Sequence, residues 1–431
     1  MATLLCFVYF IVLTVIGFYL VYKPYGVISA PFDRSLKMRC KGTELLLIFM
    51  FTTGLIGLIP VLSIRLAVLE VLCIIGIYKS HSSPIFSFPI ILFFIFLLWE
   101  IWGLSYTPSP EFGFRMILKY IYPLLLALFA SSVVRDKEIV LKSLLGARWV
   151  AVIAVIFLAI PVLTYNVFGG VFWHQAAIGT HCIFMCIFSL SMLFFVKSKK
   201  KKKNFFFFLL FLLPCFYFVL RTDILGTMIA LSSFVLIKYK VKAIPVILLL
   251  GILSIAALFY IPSIKSKMYF HPDEVSLNDF LTGNVDENNI NTSGRKAVWE
   301  DCKEWFYKGN ELVGSGTGRV QTYMYTEATG WRRGGQIHND ILVLLCDNGI
   351  IGLSLYMLSV LSIFIHCLIL YNSSKYTLVL KMCAIISGSS LLGIVATMYS
   401  DNTLSYSMAT LSYPWGLYGM VLGLKYKEDS K

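Results

Sequence analysis

Three polar residues, His338, Asn339 and Asp340, stand directly before the apolar stretch 341–346. Histidine side chains generally titrate near neutral pH, so a histidine here could take a proton from a hydroxyl nucleophile. The alternative is a polar cap at a helix N-terminus, with Asn339 or Asp340 as the capping residue. The local sequence by itself favours the cap.

Arginines at two other positions have the chemistry to bind an anion. Arg221 opens a polar turn between two apolar segments, where a cation either serves a function or forms a pair, and Asp223 is the obvious partner. Arg295 by itself is typical of a solvated surface cation. If both converge with His338, the three side chains suit a phosphate-bearing substrate, because a guanidinium binds phosphate in a bidentate geometry.

Two further arginines, Arg332 and Arg333, lie close in sequence to His338. They could contact a pyrophosphate or lipid head groups, or simply be exposed to solvent. Two carboxylates, Glu70 and Glu100, lie inside apolar segments, where an acid is expensive and is functional by default. A proton relay and a structural hydrogen bond explain these acids equally well.

The elements that position these residues are membrane spans. The chain has 431 residues, of which 58% are hydrophobic and 14% charged, whereas a soluble domain is about 45–50% apolar and about 25% charged. The alternation of a membrane barrel is absent, so the spans are helices. The sequence predicts an all-α polytopic membrane protein with about twelve to thirteen transmembrane helices. The apolar segments are near 4–22, 45–60, 61–78, 85–106, 116–134, 149–165, 176–196, 205–220, 223–237, 243–261, 350–371, 379–399 and 407–424.

The formal net charge of +14 orients these spans. The lysine run 197–203, together with the basic residues of the segments on the same side, accounts for 24 of the 37 Lys and Arg residues. This asymmetry follows the positive-inside rule, so the charge marks cytoplasmic loops and does not indicate a nucleic-acid partner. The longest hydrophilic stretch, roughly 262–340, then faces the outside.

The chain therefore divides into three parts. Residues 1–261 form an N-terminal bundle of transmembrane helices, 262–349 a long outer loop, and 350–431 the C-terminal transmembrane helices. A loop of this length is usually functional or disordered. Its content of tryptophan, tyrosine and phenylalanine favours function.

Two patterns stand out inside the long loop. The spacing of Val298, Cys302, Trp305 and Phe306 predicts an amphipathic helix, lying on the membrane surface in one interpretation. Gly314-x-Gly316-x-Gly318 is a turn-rich stretch. A phosphate-cradling loop is disfavoured there, because no strand precedes the glycines and no GK[ST] follows them.

These motifs resemble the O-antigen ligase and polymerase superfamily. In this sequence the resemblance rests on a long outer loop and on short motifs between about 221 and 352. The motifs are Arg221 before a span with small residues, Gly294-Arg295 with Trp299, Gly314-x-Gly316-x-Gly318, and His338-Asn339 followed by Gly349-x-x-Gly352.

The resemblance implies a metal-independent, inverting glycosyltransferase of the bacterial inner membrane, with its active site facing the periplasm and with no cofactor. Its donor would be a glycan on undecaprenyl pyrophosphate, and its acceptor a hydroxyl group of lipid A-core or of another glycan. Membrane lipids would surround the chain. The glycan–pyrophosphate bond is already activated, so neither a nucleotide nor a metal would be needed.

Position by position, the resemblance implies a role for each site residue. Arg221 and Arg295 would hold the donor pyrophosphate and stabilise the leaving charge. His338 would orient or deprotonate the acceptor hydroxyl. The supporting residues would be Asn339, Arg332 and Arg333.

The spacing from His338 to Gly352 favours an O-antigen ligase, which transfers glycan to lipid A-core. A repeat-unit polymerase, and then a protein O-oligosaccharyltransferase, are the alternatives within the family. A transporter or flippase for a lipid-linked sugar is the alternative from another class. The sequence shows no clear internal repeat of the sort many transporters have.

Overall fold

The computed structural model describes residues 2–30, 33–160, 175–195, 201–217, 220–286, 289–292, 294–328 and 335–430. A helix occupies each of the thirteen apolar segments named above, which confirms a helical, polytopic membrane protein. In the described part of the chain, Gly42–Thr53 and Phe88–Gly103 are shorter apolar helices, and seven helical stretches are long and apolar enough to cross a membrane. The seven are Thr3–Tyr22, Pro110–Val133, Lys137–Ala159, Gln175–Phe195, Arg221–Ala257, Asp340–Asn372 and Leu378–Thr397.

The elements follow one another along the chain in three groups. Before the long loop come α1 (Ala2–Tyr22), β1 (Tyr25–Ala30), β2 (Asp33–Lys41), α2 (Gly42–Thr53), α3 (Leu62–Ser80), α4 (Phe88–Gly103), α5 (Pro110–Val133), α6 (Lys137–Ala159), α7 (Gln175–Phe195), α8 (Lys201–Tyr217), α9 (Arg221–Tyr239) and α10 (Ile244–Tyr260). The long loop holds α11 (Pro262–Met268), α12 (Leu277–Thr282), α13 (Arg295–Cys302) and α14 (Arg319–Thr322). After it come α15 (Asp340–Asn372), α16 (Leu378–Thr397) and α17 (Ser412–Asp429).

One small sheet accompanies the helices. Strands β1 and β2 form an antiparallel hairpin in which Tyr25 pairs with Lys41 and Val27 with Arg39. The segment is too polar and basic to form a span, and the hairpin pairs its backbone N–H and C=O groups. It lies in one of the basic segments that the sequence predicts to be cytoplasmic.

Small residues bring two pairs of helices close together. A Cβ atom on Gly226 of α9 would lie 2.6 Å from the carbonyl oxygen of Gly393 on α16. A Cβ on Gly419 of α17 would lie 2.0 Å from the carbonyl oxygen of Ala127 on α5. Membrane helices use such residues because they let backbones approach closely. The contact between α9 and α16 matters for the site, because Arg221 begins α9 and residues 398–403 follow α16.

An aromatic cluster fills the space between α4, α5, α15 and α17. The ring centroids of Phe93 and Trp415 lie 4.4 Å apart, and those of Phe96 and Tyr356 lie 5.3 Å apart. Tyr120 of α5 meets Phe96 edge to face. These rings are almost completely buried, so they hold α15 in the bundle below its first turns.

Candidate functional site

The helix that follows the long loop begins with a cap and is kinked. The side chain of Asn339 accepts a hydrogen bond from the backbone N–H of Leu342 at 2.9 Å, which makes it the N-cap of α15. The capping interpretation of this motif is therefore confirmed. Nine residues into the helix, Gly349 has φ 64° and ψ −172°, a conformation that favours glycine. The glycines that follow His338-Asn339 in the resemblance, Gly349-x-x-Gly352, thus begin at a break in the helix.

The glycine-rich stretch of the long loop binds a carboxylate of this chain. The backbone N–H groups of Gly318 and Val320 each donate to one oxygen of the Asp347 side chain, both at 2.9 Å. Gly314, with φ 79°, lies so close to α15 that a Cβ would be 2.3 Å from the backbone nitrogen of Asn348. The glycines therefore dock the long loop onto the kink of α15.

Glu100 of α4 belongs to the same contact. The side-chain amide of Asn348 donates to its Oε1 atom at 2.8 Å, and the Thr317 hydroxyl lies 3.0 Å from its Oε2 atom. Glu100 is fully buried, so of the two explanations offered by the sequence the structure supports the structural hydrogen bond. We call residues 314–318 with Glu100, Asp347 and Asn348 the glycine clasp. Glu70 is also buried, and its Oε1 atom has no hydrogen-bond partner within the described part of the chain.

His338 lies directly before α15, against the loop that follows α16. Its φ is 51°, in the left-handed region, and its side chain is 36% exposed. Its backbone N–H donates to Oδ1 of Asn402 at 3.1 Å, and its Nδ1 atom lies 2.7 Å from Nδ2 of the same side chain. The carboxylate of Asp401 is 3.5 Å from Nδ1. Two residues of the loop between α16 and α17 therefore hold the imidazole.

Helix α13 brings Arg295 to the same loop. The Nη1 group of Arg295 donates to the carbonyl oxygen of Ser400 at 2.6 Å. Burial lowers the pKa of the Arg295 guanidinium, and the neighbouring Asp401 carboxylate opposes that shift. One turn further on, Trp299 donates from Nε1 to the carbonyl oxygen of Ile337 at 2.6 Å, directly before His338.

The predicted amphipathic helix exists, with one correction to its face. Val298, Cys302 and Phe306 are buried, and together with residues of α14 and α15 they form a small apolar core. Trp305 is 49% exposed, so its assignment to the apolar face is wrong. The helix is followed by a π-helical turn, Lys303–Tyr307, which changes the spacing and takes Trp305 out of register.

Arg221 approaches from α9. Its Nη1 group donates to the carbonyl oxygens of Lys267 at 3.0 Å and of Asn291 at 2.8 Å. It lies close enough to Arg295 for the two cations to repel each other. Asp223, the expected local partner, is buried and lies 3.2 Å from the Thr180 hydroxyl. The long loop therefore orients Arg221 through backbone carbonyls.

The structure thus brings together three of the side chains proposed from the sequence. We call Arg221, Arg295, His338, Asp401 and Asn402 the histidine cluster. Arg332 and Arg333 lie outside the described residues.

Asp401 and Asn402 were not predicted from the sequence as site residues. The signal that could have found them is a polar triplet, Ser400-Asp401-Asn402, at the end of an apolar segment and on the predicted outer side. Polar residues at such a boundary also serve as ordinary turns, so the triplet alone does not indicate chemistry.

A small cavity of about 20 Å³ lies between α3, α5 and the loop after α16, and it too was not foreseen. Its charged lining residues are Arg115 and Lys119 of α5, and Ser405 and Ser407 of the loop after α16 also face it. Lys119 is close enough to Asp340 for their charges to interact. A further cation, Lys119, therefore lies near Asp340 at the start of α15.

Comparison with known families places this geometry in context. Residues 205–357 match the family model described as O-antigen ligase, and no curated protein matches the chain. The matched segment contains Arg221, Arg295 and His338, and it ends inside α15. It confirms the resemblance to the O-antigen ligase and polymerase superfamily. It also supports a function of ligase or polymerase type in a bacterial membrane, with a lipid-linked glycan and an acceptor as substrates.

Proposed function

We propose, from the premise that residues 205–357 match the O-antigen ligase family, that this chain is an inner-membrane glycosyltransferase. It moves an oligo- or polysaccharide from an undecaprenyl-pyrophosphate donor to a hydroxyl acceptor at the periplasmic face. The preferred acceptor is lipid A-core, which makes the activity that of an O-antigen ligase. The observation that carries the proposal is that Arg295 and His338 both bond residues 400–402 and that Arg221 lies close to Arg295.

The two arginines suit the pyrophosphate of the donor. Both are half-buried and lie near each other, an arrangement that an anionic ligand would stabilise by offsetting their repulsion. A guanidinium has five N–H donors, and the bond from Arg295 to Ser400 occupies its Nη1 group. Charge builds up on the pyrophosphate as the bond to the sugar breaks. In this role each arginine stabilises that charge, and the loss of one such donor typically costs about 10²–10³-fold in rate.

His338 suits the acceptor hydroxyl. Its side chain is partly exposed, and its backbone is fixed on three sides: by Asn402, by the Trp299 bond to Ile337 and by the Asn339 cap. In this proposal His338 orients or deprotonates the acceptor, and Asn339 contributes by setting where α15 starts. A positioned acid or base of this kind typically contributes about 10²–10⁴-fold.

The reaction needs no metal in this proposal, because a glycan on pyrophosphate already carries a good leaving group. The two cations take the place that a metal would have in neutralising that group. Across the described ranges, no group of three or more His, Cys, Asp or Glu side chains is placed to hold a metal ion. Transfer by protein treated with EDTA should equal that of untreated protein. A loss that added Mg²⁺ or Mn²⁺ restores would contradict this part of the proposal.

The enzyme assignment is tested with the full chain purified into lipid nanodiscs. The donor is a glycan on undecaprenyl pyrophosphate, the acceptor is lipid A-core, and product is measured on gels. His338→Ala and Arg221→Ala should each reduce transfer by about 10²-fold or more. Lys308→Ala is the matched control, because Lys308 is an exposed cation of the long loop paired with Glu304. If the two variants fold normally and transfer at the wild-type rate, the assignment is wrong.

The acceptor is tested in cells that lack the protein. A ligase predicts that long glycan disappears from lipid A-core while polymer accumulates on its lipid carrier. A polymerase predicts a single repeat unit on the core. If lipid-linked glycan reaches the outer leaflet only when the protein is present, the protein is a flippase and not a transferase.

A further inference from the structure

Asn402 makes two contacts with His338, and the contact with the backbone fixes which atom of the amide faces the ring. Its Oδ1 atom accepts the backbone N–H of His338 at 3.1 Å, and its Nδ2 atom lies 2.7 Å from His338 Nδ1. An amide side chain has one acceptor end and one donor end, which could in principle be exchanged by a flip. A backbone N–H can only donate, so the end that faces it must be the oxygen. The Nδ2 end therefore faces the ring.

The orientation of the amide decides the tautomer of the histidine. An amide nitrogen only donates, so at 2.7 Å from Nδ2 the Nδ1 atom of His338 accepts and carries no proton. The Asp401 carboxylate also faces Nδ1, but at 3.5 Å it is too far away for a hydrogen bond of normal length. A neutral imidazole has one N–H, and here that N–H is at Nε2. Asn402 is 5% exposed and the His338 side chain is 36% exposed, so the interaction that sets the tautomer is sheltered while the ring remains accessible.

We propose that Asn402 is a positioning residue that holds His338 as the Nε2–H tautomer, so that His338 donates a hydrogen bond to the substrate and does not remove the acceptor proton. The inference rests on the proposed function and chooses between the two roles left open there. A free base would need an unprotonated Nε2. In this geometry the unprotonated nitrogen is Nδ1, and Asn402 occupies it.

In the transfer step one bond forms and one bond breaks. The acceptor oxygen forms a bond to the anomeric carbon of the donor sugar, and the bond from that carbon to the pyrophosphate oxygen breaks. Its electron pair stays on the pyrophosphate, where the guanidinium groups of Arg221 and Arg295 stabilise the charge, while the Nε2–H of His338 orients the acceptor oxygen. The proton of the acceptor hydroxyl ends on the lipid pyrophosphate product. His338 has the same protonation state before and after the step.

The tautomer can be measured without any transfer assay. The full chain is labelled with ¹⁵N-histidine in nanodiscs at pH about 8.5, where histidine side chains are generally neutral. The chain has six histidines, and His338→Ala identifies the signals of this one. We expect a protonated Nε2 and an unprotonated Nδ1. A protonated Nδ1 in the wild-type protein would overturn the proposal, whatever the protein catalyses.

Exchanging the residues at positions 401 and 402 tests whether His338 acts as a hydrogen-bond donor in transfer. In the double variant Asp401→Asn with Asn402→Asp, one carboxylate and one amide remain, so the charge of the pair is unchanged. A carboxylate at 402 still accepts the backbone N–H, but its second oxygen now faces Nδ1 and favours the Nδ1–H tautomer. Asp401→Asn alone measures the contribution of position 401.

We expect the double variant to show the other tautomer and to transfer at least about tenfold more slowly than Asp401→Asn, because the donor that orients the acceptor oxygen is lost. Transfer that equals that of Asp401→Asn, with the tautomer changed, would overturn the donor role, and faster transfer would also show that His338 acts as a base. If wild-type protein transfers nothing, the proposed function fails, while the tautomer measurement still stands.

Discussion

The glycine clasp and the histidine cluster use similar residue types for different ends. Both contain an Asp beside an Asn, Asp347 with Asn348 and Asp401 with Asn402. The clasp links the kink of α15 to distant segments, and the cluster links the residue before its N-cap to the loop after α16. In the clasp the two residues are 1% exposed and their side chains bond groups of this chain. In the cluster the Asp401 side chain is 16% exposed, and Arg295 and His338 are also reachable from outside.

The difference distinguishes residues that stabilise the fold from residues that are available to a substrate. A buried carboxylate is costly unless hydrogen bonds satisfy it, and two backbone N–H groups satisfy Asp347. A group that is both satisfied and buried in this way is not accessible to a substrate. The cluster holds its cations by backbone carbonyls instead, which orient a guanidinium without neutralising its charge. We therefore expect substitutions in the clasp to change stability, and substitutions in the cluster to change transfer.

The largest effect is expected for Gly314→Ala. The residue has φ 79°, and a Cβ would lie 2.3 Å from backbone atoms of Asp347 and Asn348. The left-handed conformation alone costs an alanine about 1–2 kcal/mol, and the overlap with rigid backbone adds to it, for a total of about 4 kcal/mol. Thermal unfolding of the purified protein in detergent measures the loss.

Gly309→Ala is the control for that substitution. Gly309 has φ 85°, but no atom lies within 4 Å of the Cβ position, so only the backbone strain applies. We expect a loss of about 1–2 kcal/mol. Equal losses of unfolding free energy for the two variants would mean that the close packing of Gly314 against α15 does not contribute to stability.

The second prediction concerns Arg295 in the cluster. Arg295→Ala should slow transfer by about 10²-fold, because a cation that stabilises the leaving pyrophosphate is removed. Arg295→Lys should lie in between, since lysine keeps the charge but not the bidentate geometry. The unfolding temperature should change little. If Arg295→Ala unfolds as readily as Gly314→Ala and folded molecules still transfer, Arg295 belongs with the clasp.

How much of this could be predicted from sequence follows from the range of each interaction. Hydropathy is a local property, so all thirteen apolar segments correspond to helices. The buried face of α13 follows from helical spacing, up to the π-turn that displaces Trp305. The partner of a polar group is not local: Asp347 lies 29 residues from Gly318, and Asn402 lies 64 residues from His338. The sequence therefore indicates that the glycines and the histidine are important, but it does not predict which residues they contact.

The third prediction replaces one carboxylate by an amide in the clasp and one in the cluster. Asp347→Asn should destabilise the protein by about 1–3 kcal/mol, because one end of the amide would turn N–H groups towards a backbone N–H. Asp401→Asn should leave the unfolding temperature nearly unchanged. The Oδ1 atom of Asp401 accepts the backbone N–H of Asn402 at 2.8 Å, and an amide oxygen can keep that bond. A reversed order of stabilities would contradict the division between the two regions.

The smallest effect tests how firmly the cluster is attached to α13. Trp299→Phe removes the Nε1 donor to Ile337 but keeps an aromatic ring against Tyr399, whose centroid is 6.1 Å away. The loss of one hydrogen bond should cost about 0.5–1.5 kcal/mol. Because Ile337 precedes His338, we also expect a few-fold slower transfer. Trp305→Phe is the control: this half-exposed ring contacts Phe306 and Tyr323, away from the histidine. If both variants slow transfer equally, α13 supports the loop as a whole and does not set the position of His338.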